Sequence, residues 1–217
     1  MVILVEKLII FDLDGTILDT ILDLNAALNY VFAEFNLSKI SVETTRLNLG
    51  NGIKRLIIDS KGSNENIDVF YNMFMEYYNK NYNVYTKPYD GIIDLLYELK
   101  NKGYKLAVIS NKNIVPLKKL VDYHFNNIFD MVLGDGMGFK RKPDPEIINY
   151  CIDKLNSNIS NTIYIGDSDI DINTVNNSKV NGLFVSYGYR KREILEQNGA
   201  KIIFDNVLEL KDYLNKL

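Results

Sequence analysis

The sequence predicts an α/β fold, a doubly wound and mainly parallel sheet with a small all-helical insertion. Two observations predict it. From residue 85 onward, short apolar strands alternate with amphipathic helices, which is typical of a parallel sheet covered on both faces. Between the apolar run Leu8–Phe11 and that alternation, only helical periodicity is found. We therefore expect residues 1–17 and 85–217 to form an α/β core and residues 18–84 to form a helical domain.

The helices of residues 18–84 follow from apolar side chains spaced three and four residues apart. Ser41 followed by Glu43 predicts the start of a second helix, and residues 53–60 predict a third. The segment Gly50-Asn51-Gly52 breaks the pattern between them. We expect the tyrosines at 71, 77 and 78 to be core or rim aromatics. The repeats that define the first and last helices are Ile21, Leu24, Leu28, Val31, Phe32, Phe35 and Ile67, Phe70, Tyr71, Phe74, Tyr77, Tyr78.

The second half of the chain gives the remaining strands and helices. Apolar runs predict strands at 105–109, 131–133, 162–165, 183–186 and 202–204. Helices are expected at 92–102, 115–122 and 145–155, the first of them ended by Gly103. Their alternation is the basis of the parallel-sheet prediction.

Length and charge limit the possible functions. With 217 residues and 25.0 kDa, the chain can form an α/β domain with one insertion. The net charge of -3 gives no support for a nucleic-acid partner or an anionic membrane. No apolar run reaches the roughly 20 residues of a membrane span. Residues 1–11 contain Glu6 and continue into the first motif, so they predict a strand and not a signal peptide. A monomer or a homodimer is expected.

Neither the cysteine nor the histidine points to chemistry. Cys151 is the only cysteine, which excludes an internal disulfide and suits a reducing cytoplasm. It lies in an apolar helical pattern with Ile147 and Ile148, so we expect a packed thiol. His124 lies near a helix end beside aromatic residues, and a structural or surface role is favoured.

Polar motifs directly follow or adjoin the apolar strands. Asp12-Leu13-Asp14-Gly15-Thr16 follows Leu8–Phe11, Ser110-Asn111-Lys112 follows the strand 105–109, and Gly166-Asp167-Ser168-Asp169-Ile170-Asp171 follows the strand 162–165. Lys140-Arg141-Lys142-Pro143-Asp144-Pro145 opens a helix. Because the carboxyl ends of parallel strands meet at one edge of a sheet, we expect these segments to converge.

The order of these four motifs resembles the haloacid dehalogenase superfamily of phosphotransferases, over nearly the whole chain. Within it the sequence is most similar to phosphoglycolate phosphatases. The resemblance implies a Rossmann-like core with a helical cap that closes as a lid. It also implies a Mg²⁺-dependent phosphatase for a small phosphorylated metabolite, with 2-phosphoglycolate favoured. The subgroup marks are Leu18-Asp19-Thr20, Asp23-Leu24, Gly50-Asn51-Gly52, Ser110-Asn111-Lys112, Lys142-Pro143-Asp144-Pro145 and Tyr187-Gly188-Tyr189.

The resemblance also assigns catalytic roles. Asp12 would attack phosphorus and become an aspartyl phosphate, since carboxylates form such intermediates. Asp14 would protonate the leaving oxygen and later deprotonate the attacking water. Lys142 would supply compensating positive charge. The phosphate contacts would come from Lys142, Ser110 and both main-chain and side-chain donors of Asn111. Thr16 would bind the phosphate too, with a hydrogen bond within the turn as the alternative.

A divalent cation completes the implied site. Its ligands would be Asp12, the main-chain carbonyl of Asp14 and Asp167, a set of oxygen atoms that suits Mg²⁺. Asp171 would orient waters or Lys142, with direct metal binding left open. Asp169 is expected to be a solvated cap residue. The loop Gly50-Asn51-Gly52 would contact the non-phosphate end of the substrate, with a plain interhelical turn as the alternative.

Other functions on the same scaffold stay open. They are a pyrophosphatase, a nucleotide 5'-phosphatase, a sugar phosphomutase and a catalytically silent regulatory or binding protein. A silent relative would have lost one of four residues that are all present here, Asp12, Asp14, Lys142 and Asp167. One departure from the family is the helix after the last motif, which reads Thr174-Val175-Asn176-Asn177-Ser178-Lys179 and has no glycine at its end.

Overall fold

A six-stranded parallel sheet forms the centre of the protein. The structure is a computed structural model that describes residues 6–217. Along the chain, the sheet strands are β1 (Leu8–Phe11), β4 (Lys105–Asn113), β5 (Met131–Asp135), β6 (Thr162–Gly166), β7 (Asn181–Val185) and β8 (Ile203–Phe204). Their order across the sheet is β5-β4-β1-β6-β7-β8, with parallel pairing throughout. The predicted fold class is confirmed. The part of the predicted first strand that falls on residues 1–5 lies outside the described residues.

The chain divides into two compact units, residues up to 18 together with 88–217, and residues 19–87. These limits lie one and three residues after the predicted domain limits of 18 and 84. Two short strands, β2 (Leu18–Asp19) and β3 (Lys87–Pro88), pair with each other where the chain passes between the units. We refer to the units as the core unit and the helical unit.

In the described part of the core unit, six α-helices lie between the strands or, in the case of the last one, after the final strand. They are α5 (Ile92–Asn101), α6 (Ile114–Phe125), α7 (Glu146–Lys154), α8 (Asp169–Ser178), α9 (Arg192–Gln197) and α10 (Val207–Leu214). Helices α9 and α10 were not predicted from the sequence. For α10 the signal was present, because Asn206 caps it by accepting from the Glu209 amide, and Val207, Leu210 and Leu214 form a buried helical stripe. Among residues 6–217, no helix combines the length and apolar character that crossing a membrane requires.

The end of α8 explains how a helix without a terminal glycine stops. Lys179 takes a left-handed conformation, with φ of 60°, and its amide donates to the Val175 carbonyl at 2.8 Å. Two polar residues of α8 donate their hydroxyls within the helix. Thr174 donates its hydroxyl to the Ile170 carbonyl, and Ser178 donates its hydroxyl to the Thr174 carbonyl, both at 2.7 Å.

The helical unit consists of α1 (Ile21–Glu34), α2 (Val42–Asn48), α3 (Ile53–Lys61) and α4 (Ile67–Asn81). The predicted start of α2 is confirmed, since the Ser41 hydroxyl accepts from the Thr44 amide at 3.0 Å. The apolar stripe of α1 is buried except for Phe35, which is 37% exposed at the helix end and stacks on Phe70. Tyr78 is buried, whereas Tyr71 and Tyr77 lie at the rim.

Strand β1 lies at the centre of the core. All four of its residues are fully buried, because β4 and β6 flank it and helices cover the sheet. Cys151 on α7 packs against this core, and burial raises the pKa of its thiol to about 12. The predicted packed, unreactive thiol is confirmed. His124 is half-buried against the ring of Tyr123, and burial lowers its pKa, in agreement with a structural role.

Candidate active site

Three neighbouring strands bring the polar motifs together at one edge of the sheet. Phe11, the last residue of β1, is paired with Val108 of β4 on one side and Ile165 of β6 on the other. Asp12, the next residue, therefore lies beside the carboxyl end of β6 and beside the part of β4 that follows Val108. Lys142 reaches the same edge from the segment between β5 and α7.

The turn after β1 is held by its own main chain. The Leu13 carbonyl accepts from the amides of Thr16, Ile17 and Leu18 at 3.0 to 3.2 Å. Gly15 in this turn has φ of 89°, and a Cβ there would lie 2.2 Å from an Asp167 oxygen. Glycine at position 15 therefore allows the first and last motifs to approach each other.

Lys142 is the cation at the centre of the site. Its Nζ lies 2.8 Å from Asp12 Oδ1, 2.9 Å from Asp171 Oδ1 and 2.7 Å from the Tyr164 hydroxyl. Burial opposes the charge of Lys142, but the carboxylates of Asp12 and Asp171 outweigh it and raise the pKa of the ammonium group. The Asn111 side chain fixes the Lys142 main chain, since its amide accepts from the nitrogen at 2.8 Å and donates to the carbonyl at 3.0 Å.

The carboxylates of the site differ in their charge balance. Burial is the largest cause that raises the pKa of Asp12, to about 7, and neighbouring carboxylates add to it against the opposing effect of Lys142. Burial also raises the pKa of Asp167, helped by the charges of Asp171 and Asp12. For Asp171 burial acts in the same direction, but Lys142 and the Ser168 hydroxyl lower its pKa overall. Asp171 is therefore a carboxylate whose charged form its hydrogen-bond partners and Lys142 favour in spite of burial.

Hydrogen bonds hold the Asp171 carboxylate in a fixed position. Its Oδ2 accepts from the Ser168 hydroxyl at 2.6 Å and from the amides of Ser168 and Asp167 at 3.1 and 3.2 Å. A Cβ on Gly166 would lie 2.4 Å from its carboxyl carbon, so the last residue of β6 must be glycine. The Ser168 amide contact and a bond from the Asp171 amide to the Ser168 hydroxyl form the capping box of α8. Asp171 is thus held in place, and its other oxygen accepts from the Lys142 ammonium at 2.9 Å.

The carboxylate cluster fits a hard divalent cation. Asp12, Asp167 and Asp171 each offer one oxygen, and these oxygens lie within 4.8 Å of one another. Burial is the main cause of the raised pKa values of Asp12 and Asp167, and the neighbouring carboxylates raise them further. Three carboxylates face the single ammonium group of Lys142 here. A set of buried carboxylate oxygens with excess negative charge matches the ligand preference of Mg²⁺.

Asp14 has its own buried lysine, which the sequence analysis did not assign. Lys112 Nζ lies 2.9 Å from Asp14 Oδ1 and 3.3 Å from Oδ2. The predicted strand end at 109 is wrong, because β4 continues to Asn113 through a bulge. Ser110, Asn111 and Lys112 lie in that bulge, where only Gly134 stands opposite on β5. Bulges re-aim side chains near active sites, which explains how β4 can supply these residues.

The structure gives three of the predicted residues partners within the protein. The Thr16 side chain is fully buried and donates its hydroxyl to Asp167 Oδ1 at 3.0 Å, so this hydrogen is not available to a phosphate. Both polar atoms of the Asn111 side chain hydrogen-bond the Lys142 main chain, and a phosphate contact by Asn111 stays a prediction. Asp169 is not a solvated cap residue, because Ser168 caps α8 and Asp169 accepts from Arg190 Nε at 3.3 Å.

The remaining predicted residues are Ser110 in the core unit and the loop Gly50-Asn51-Gly52 in the helical unit. Ser110 is buried in the bulge, and its hydroxyl accepts from the Lys112 amide at 3.2 Å. Gly50-Asn51-Gly52 links α2 to α3 in the helical unit, and both glycines have positive φ, 128° and 82°. A substrate contact by this loop stays a prediction.

Two tyrosines also contact the site residues, and the sequence assigned no role to either. Tyr164 on β6 donates its hydroxyl to Asp171 Oδ1 at 2.7 Å, and the Tyr187 hydroxyl donates to the Thr16 carbonyl at 3.0 Å. A Cβ on the next residue, Gly188, would lie 2.2 Å from the Gly15 carbonyl oxygen. For Tyr164, the signal in the sequence was a tyrosine within the apolar run of β6. For Tyr187, it was the Tyr187-Gly188-Tyr189 motif.

Comparison with known proteins agrees with this geometry. A family model described as haloacid dehalogenase-like hydrolase matches residues 9–185. The chain belongs to this family. It is 31% identical over 222 residues to the phosphoglycolate phosphatase of Psychrobacter arcticus, covering 97% of this chain and 96% of the relative. It is 32% identical over 208 residues to that of Agrobacterium fabrum, covering 92% and 89%.

A solved structure shows the same fold. A protein from Lactobacillus delbrueckii subsp. bulgaricus, provisionally named a phosphoglycolate phosphatase, has 33% identity and a TM-score of 0.87, covering 97% of this chain and 99% of that one. Family, relatives and fold together identify a phosphoglycolate phosphatase-like member of the haloacid dehalogenase-like hydrolases, and hence a phosphoric monoester hydrolase. The family, fold class and enzyme class predicted from the motifs are confirmed.

Proposed function

We propose that this enzyme hydrolyses a small phosphomonoester through an aspartyl phosphate on Asp12, with Mg²⁺ as cofactor. The observation that carries the proposal is the position of Asp12 Oδ1, 2.8 Å from the buried ammonium of Lys142 at the end of β1. A second carboxylate, Asp171, holds the same ammonium at 2.9 Å. Asp12 is thus placed beside fixed positive charge where an anionic substrate can be bound.

In the first half-reaction an Asp12 oxygen attacks phosphorus while the bond from phosphorus to the ester oxygen breaks. Asp14, carrying a proton, gives it to the departing oxygen. The products are a free alcohol, an aspartyl phosphate on Asp12 and an ionised Asp14. The total charge of the reacting groups is unchanged.

In the second half-reaction water replaces Asp12 on phosphorus. Asp14 takes a proton from this water, the bond between phosphorus and the Asp12 oxygen breaks, and inorganic phosphate leaves. Asp12 returns as a carboxylate and Asp14 returns protonated. Each residue is therefore restored for the next cycle.

The other residues of the site bind and orient. Lys142 would neutralise charge on the transferred phosphoryl group, and Ser110 and the Asn111 main chain would donate hydrogen bonds to its oxygens. Asp12, the Asp14 carbonyl and Asp167 would hold Mg²⁺, which when bound supplies positive charge against the phosphate and the carboxylates. Asp171 and Asn111 would fix the two ends of Lys142, its ammonium and its main chain.

The substrate class follows from the relatives. The similar proteins from Psychrobacter arcticus and Agrobacterium fabrum are phosphoglycolate phosphatases, which makes 2-phosphoglycolate the favoured substrate. The helical unit would act as a cap that excludes water, and its loop Gly50-Asn51-Gly52 would contact the non-phosphate end of the substrate. A cytoplasmic enzyme is proposed, in line with its single, buried cysteine.

The mechanism is tested by turnover of 4-nitrophenyl phosphate with and without Mg²⁺. We expect Mg²⁺-dependent release of nitrophenol, and a loss on the order of 10⁴-fold or more in Asp12→Asn, because removing a nucleophile removes the covalent route. Asp169→Asn is the matched control, since Asp169 pairs with Arg190 and is not assigned to the site. Near-normal activity in Asp12→Asn would show that the nucleophile is wrongly assigned.

The substrate is tested by a panel of 2-phosphoglycolate, pyrophosphate, nucleoside monophosphates and hexose phosphates. We expect the highest kcat/KM with 2-phosphoglycolate. Preference for pyrophosphate or a nucleotide would leave the mechanism standing and replace the substrate. Conversion of one hexose phosphate isomer into another without phosphate release would indicate a mutase.

A further inference from the structure

The two carboxylates of the Asp-x-Asp motif are each paired with a different buried lysine. Lys142 contacts Asp12 at 2.8 Å, and Lys112 contacts Asp14 at 2.9 Å. Both lysine side chains are 4% exposed. The role of Lys142 follows from its contacts with Asp12 and Asp171, but nothing described so far gives Lys112 a function.

Net stability does not account for the burial of Lys112. Lysine is among the residues least often buried, because its charge loses water contacts and its side chain loses freedom. A buried ion pair seldom recovers this cost compared with apolar residues of the same volume. The partner, Asp14, is 98 residues away in the sequence and belongs to the catalytic motif. A role in the reaction therefore explains the pair better than a role in folding.

The main chain around Lys112 is built to place this side chain. The Lys112 amide donates to the Ser110 hydroxyl at 3.2 Å, which closes the bulge on itself. On the neighbouring strand, a Cβ on Gly134 would lie 2.8 Å from the Lys112 carbonyl oxygen, so only glycine admits the bulge at this distance. The side chain of a flexible lysine thus starts from a fixed main-chain position.

The bulge also serves the other lysine. Asn111, directly before Lys112, holds the Lys142 main chain through both atoms of its side-chain amide, at 2.8 and 3.0 Å. The segment Ser110-Asn111-Lys112 therefore sets the position of one lysine through a side chain and supplies the other directly. A distortion of this segment would therefore displace both Lys142, the partner of Asp12, and Lys112, the partner of Asp14.

We propose that Lys112 is the positioning residue for Asp14, fixing the orientation in which its carboxyl group protonates the ester oxygen that leaves in the first half-reaction. This inference rests on the proposed function, in which Asp14 protonates that oxygen. Lys112 acts through Asp14 and not on the reacting atoms. Proton transfer needs an aligned donor within about 3 Å of the acceptor, so a freely rotating Asp14 would transfer less efficiently.

The leaving group provides the test. Phenol is a much weaker acid than 4-nitrophenol, so phenyl phosphate depends more on a proton donor than 4-nitrophenyl phosphate does. The two esters have the same shape apart from the nitro group. Their kcat/KM values report the first half-reaction only, because alcohol release is complete before water attacks. The ratio of the two values therefore measures protonation of the leaving oxygen.

We expect Lys112→Met to lower the phenyl to 4-nitrophenyl ratio of kcat/KM about tenfold. Proton transfer contributes a rate factor of about 10² to 10⁴, and a misaligned Asp14 would lose part of it. In an Asp14→Asn background, the same substitution should leave the ratio unchanged. The matched control is Lys118→Met, which removes the exposed ion pair of Lys118 with Asp122 and should leave the ratio unchanged. A merely structural role would lower both kcat/KM values by one factor.

The outcomes separate this inference from the proposed function. If the phenyl to 4-nitrophenyl ratio of kcat/KM in Lys112→Met is within twofold of the wild-type ratio, the positioning role is overturned. The proposed function still stands in that case, provided that the wild type hydrolyses the esters. If Lys112→Met does not fold, as judged by circular dichroism, Lys112→Gln replaces it, with the same expected fall. Failure of both variants to fold would show that Lys112 is structural. If the wild type hydrolyses neither ester, the proposed function fails and this inference falls with it.

Discussion

Each unit of the protein buries an aspartate soon after a motif, and the surroundings of the two differ. In the helical unit, Asp23 on α1 accepts from the amides of Val84, Tyr85 and Thr86 at 2.9 to 3.1 Å and from the Thr86 hydroxyl at 2.7 Å. All of these donors are neutral, and they belong to the segment that follows α4. Asp23 therefore ties the end of the helical unit to its first helix.

The core unit buries Asp12 among other charges. Its neighbours include the carboxylates of Asp14, Asp167 and Asp171, and Lys142 contacts it directly. The raised pKa of Asp12 reflects burial first and this excess of negative charge second. The comparison teaches that a buried carboxylate surrounded by neutral donors stabilises a fold, whereas one surrounded by charges is poised to bind cations and react.

The largest expected effect on stability is at Asp23. Asp23→Ala leaves three amides and a hydroxyl without their acceptor, and we expect the free energy of unfolding to fall by about 3 kcal/mol. Urea unfolding followed by circular dichroism measures this change. The control Asp68→Ala removes an exposed pair with Lys54 and should cost less than about 0.5 kcal/mol. Equal losses in the two variants would contradict a structural role for Asp23.

At Asp12 the expected effect on stability builds up with pH, so that each pH unit contributes less than the loss expected in Asp23→Ala. The folded protein without metal binds the Asp12 proton with a pKa of about 7, against 3.8 for an ordinary aspartate. Between these values the folded state holds the proton and the unfolded chain has lost it, so ionisation of Asp12 makes stability fall as pH rises. The expected slope is about 1 kcal/mol per pH unit between pH 4 and 7.

The variant Asp12→Asn removes this titration. In metal-free protein, its free energy of unfolding relative to wild type should rise from pH 4 to pH 7 and level off above that range. Urea unfolding at four pH values measures the difference. Added Mg²⁺ should stabilise the wild type more at pH 8 than at pH 5, and Asp12→Asn little at either pH. A difference that stays constant with pH would place Asp12 outside the charged cluster.

The sequence was enough to predict the sheet, the helical insertion and the main site carboxylates. Strand and helix periodicity follow from which residues are buried, and the short Asp-x-Asp-Gly-Thr motif is local, so both can be recognised without coordinates. The family was recognised in the same way, from the order of four motifs along the chain. Lys142 belongs to the third of these motifs, and its contact with Asp12 agrees with the positive charge that the resemblance implied for it.

Contacts that depend on three-dimensional closeness could not be predicted. Lys112 was read as the residue after a strand, because an apolar run ending at Ile109 gives no sign that β4 continues through a bulge. The Thr16 hydroxyl was assigned to phosphate, but it donates to Asp167, which lies 151 residues later. Asp23 and Thr86 are 63 residues apart, and their bond depends on how α1 and the segment after α4 pack.

The central claim is that an oxygen of Asp12 becomes covalently bonded to phosphorus in each cycle. A crystal structure of the protein with Mg²⁺ and beryllium fluoride, a mimic of a bound phosphoryl group, tests it most directly. The account predicts a beryllium atom bonded to an Asp12 carboxylate oxygen, beside Lys142. Beryllium bonded to another residue would contradict the account, as would a crystal in which the fluoride complex occupies the site without a bond to Asp12.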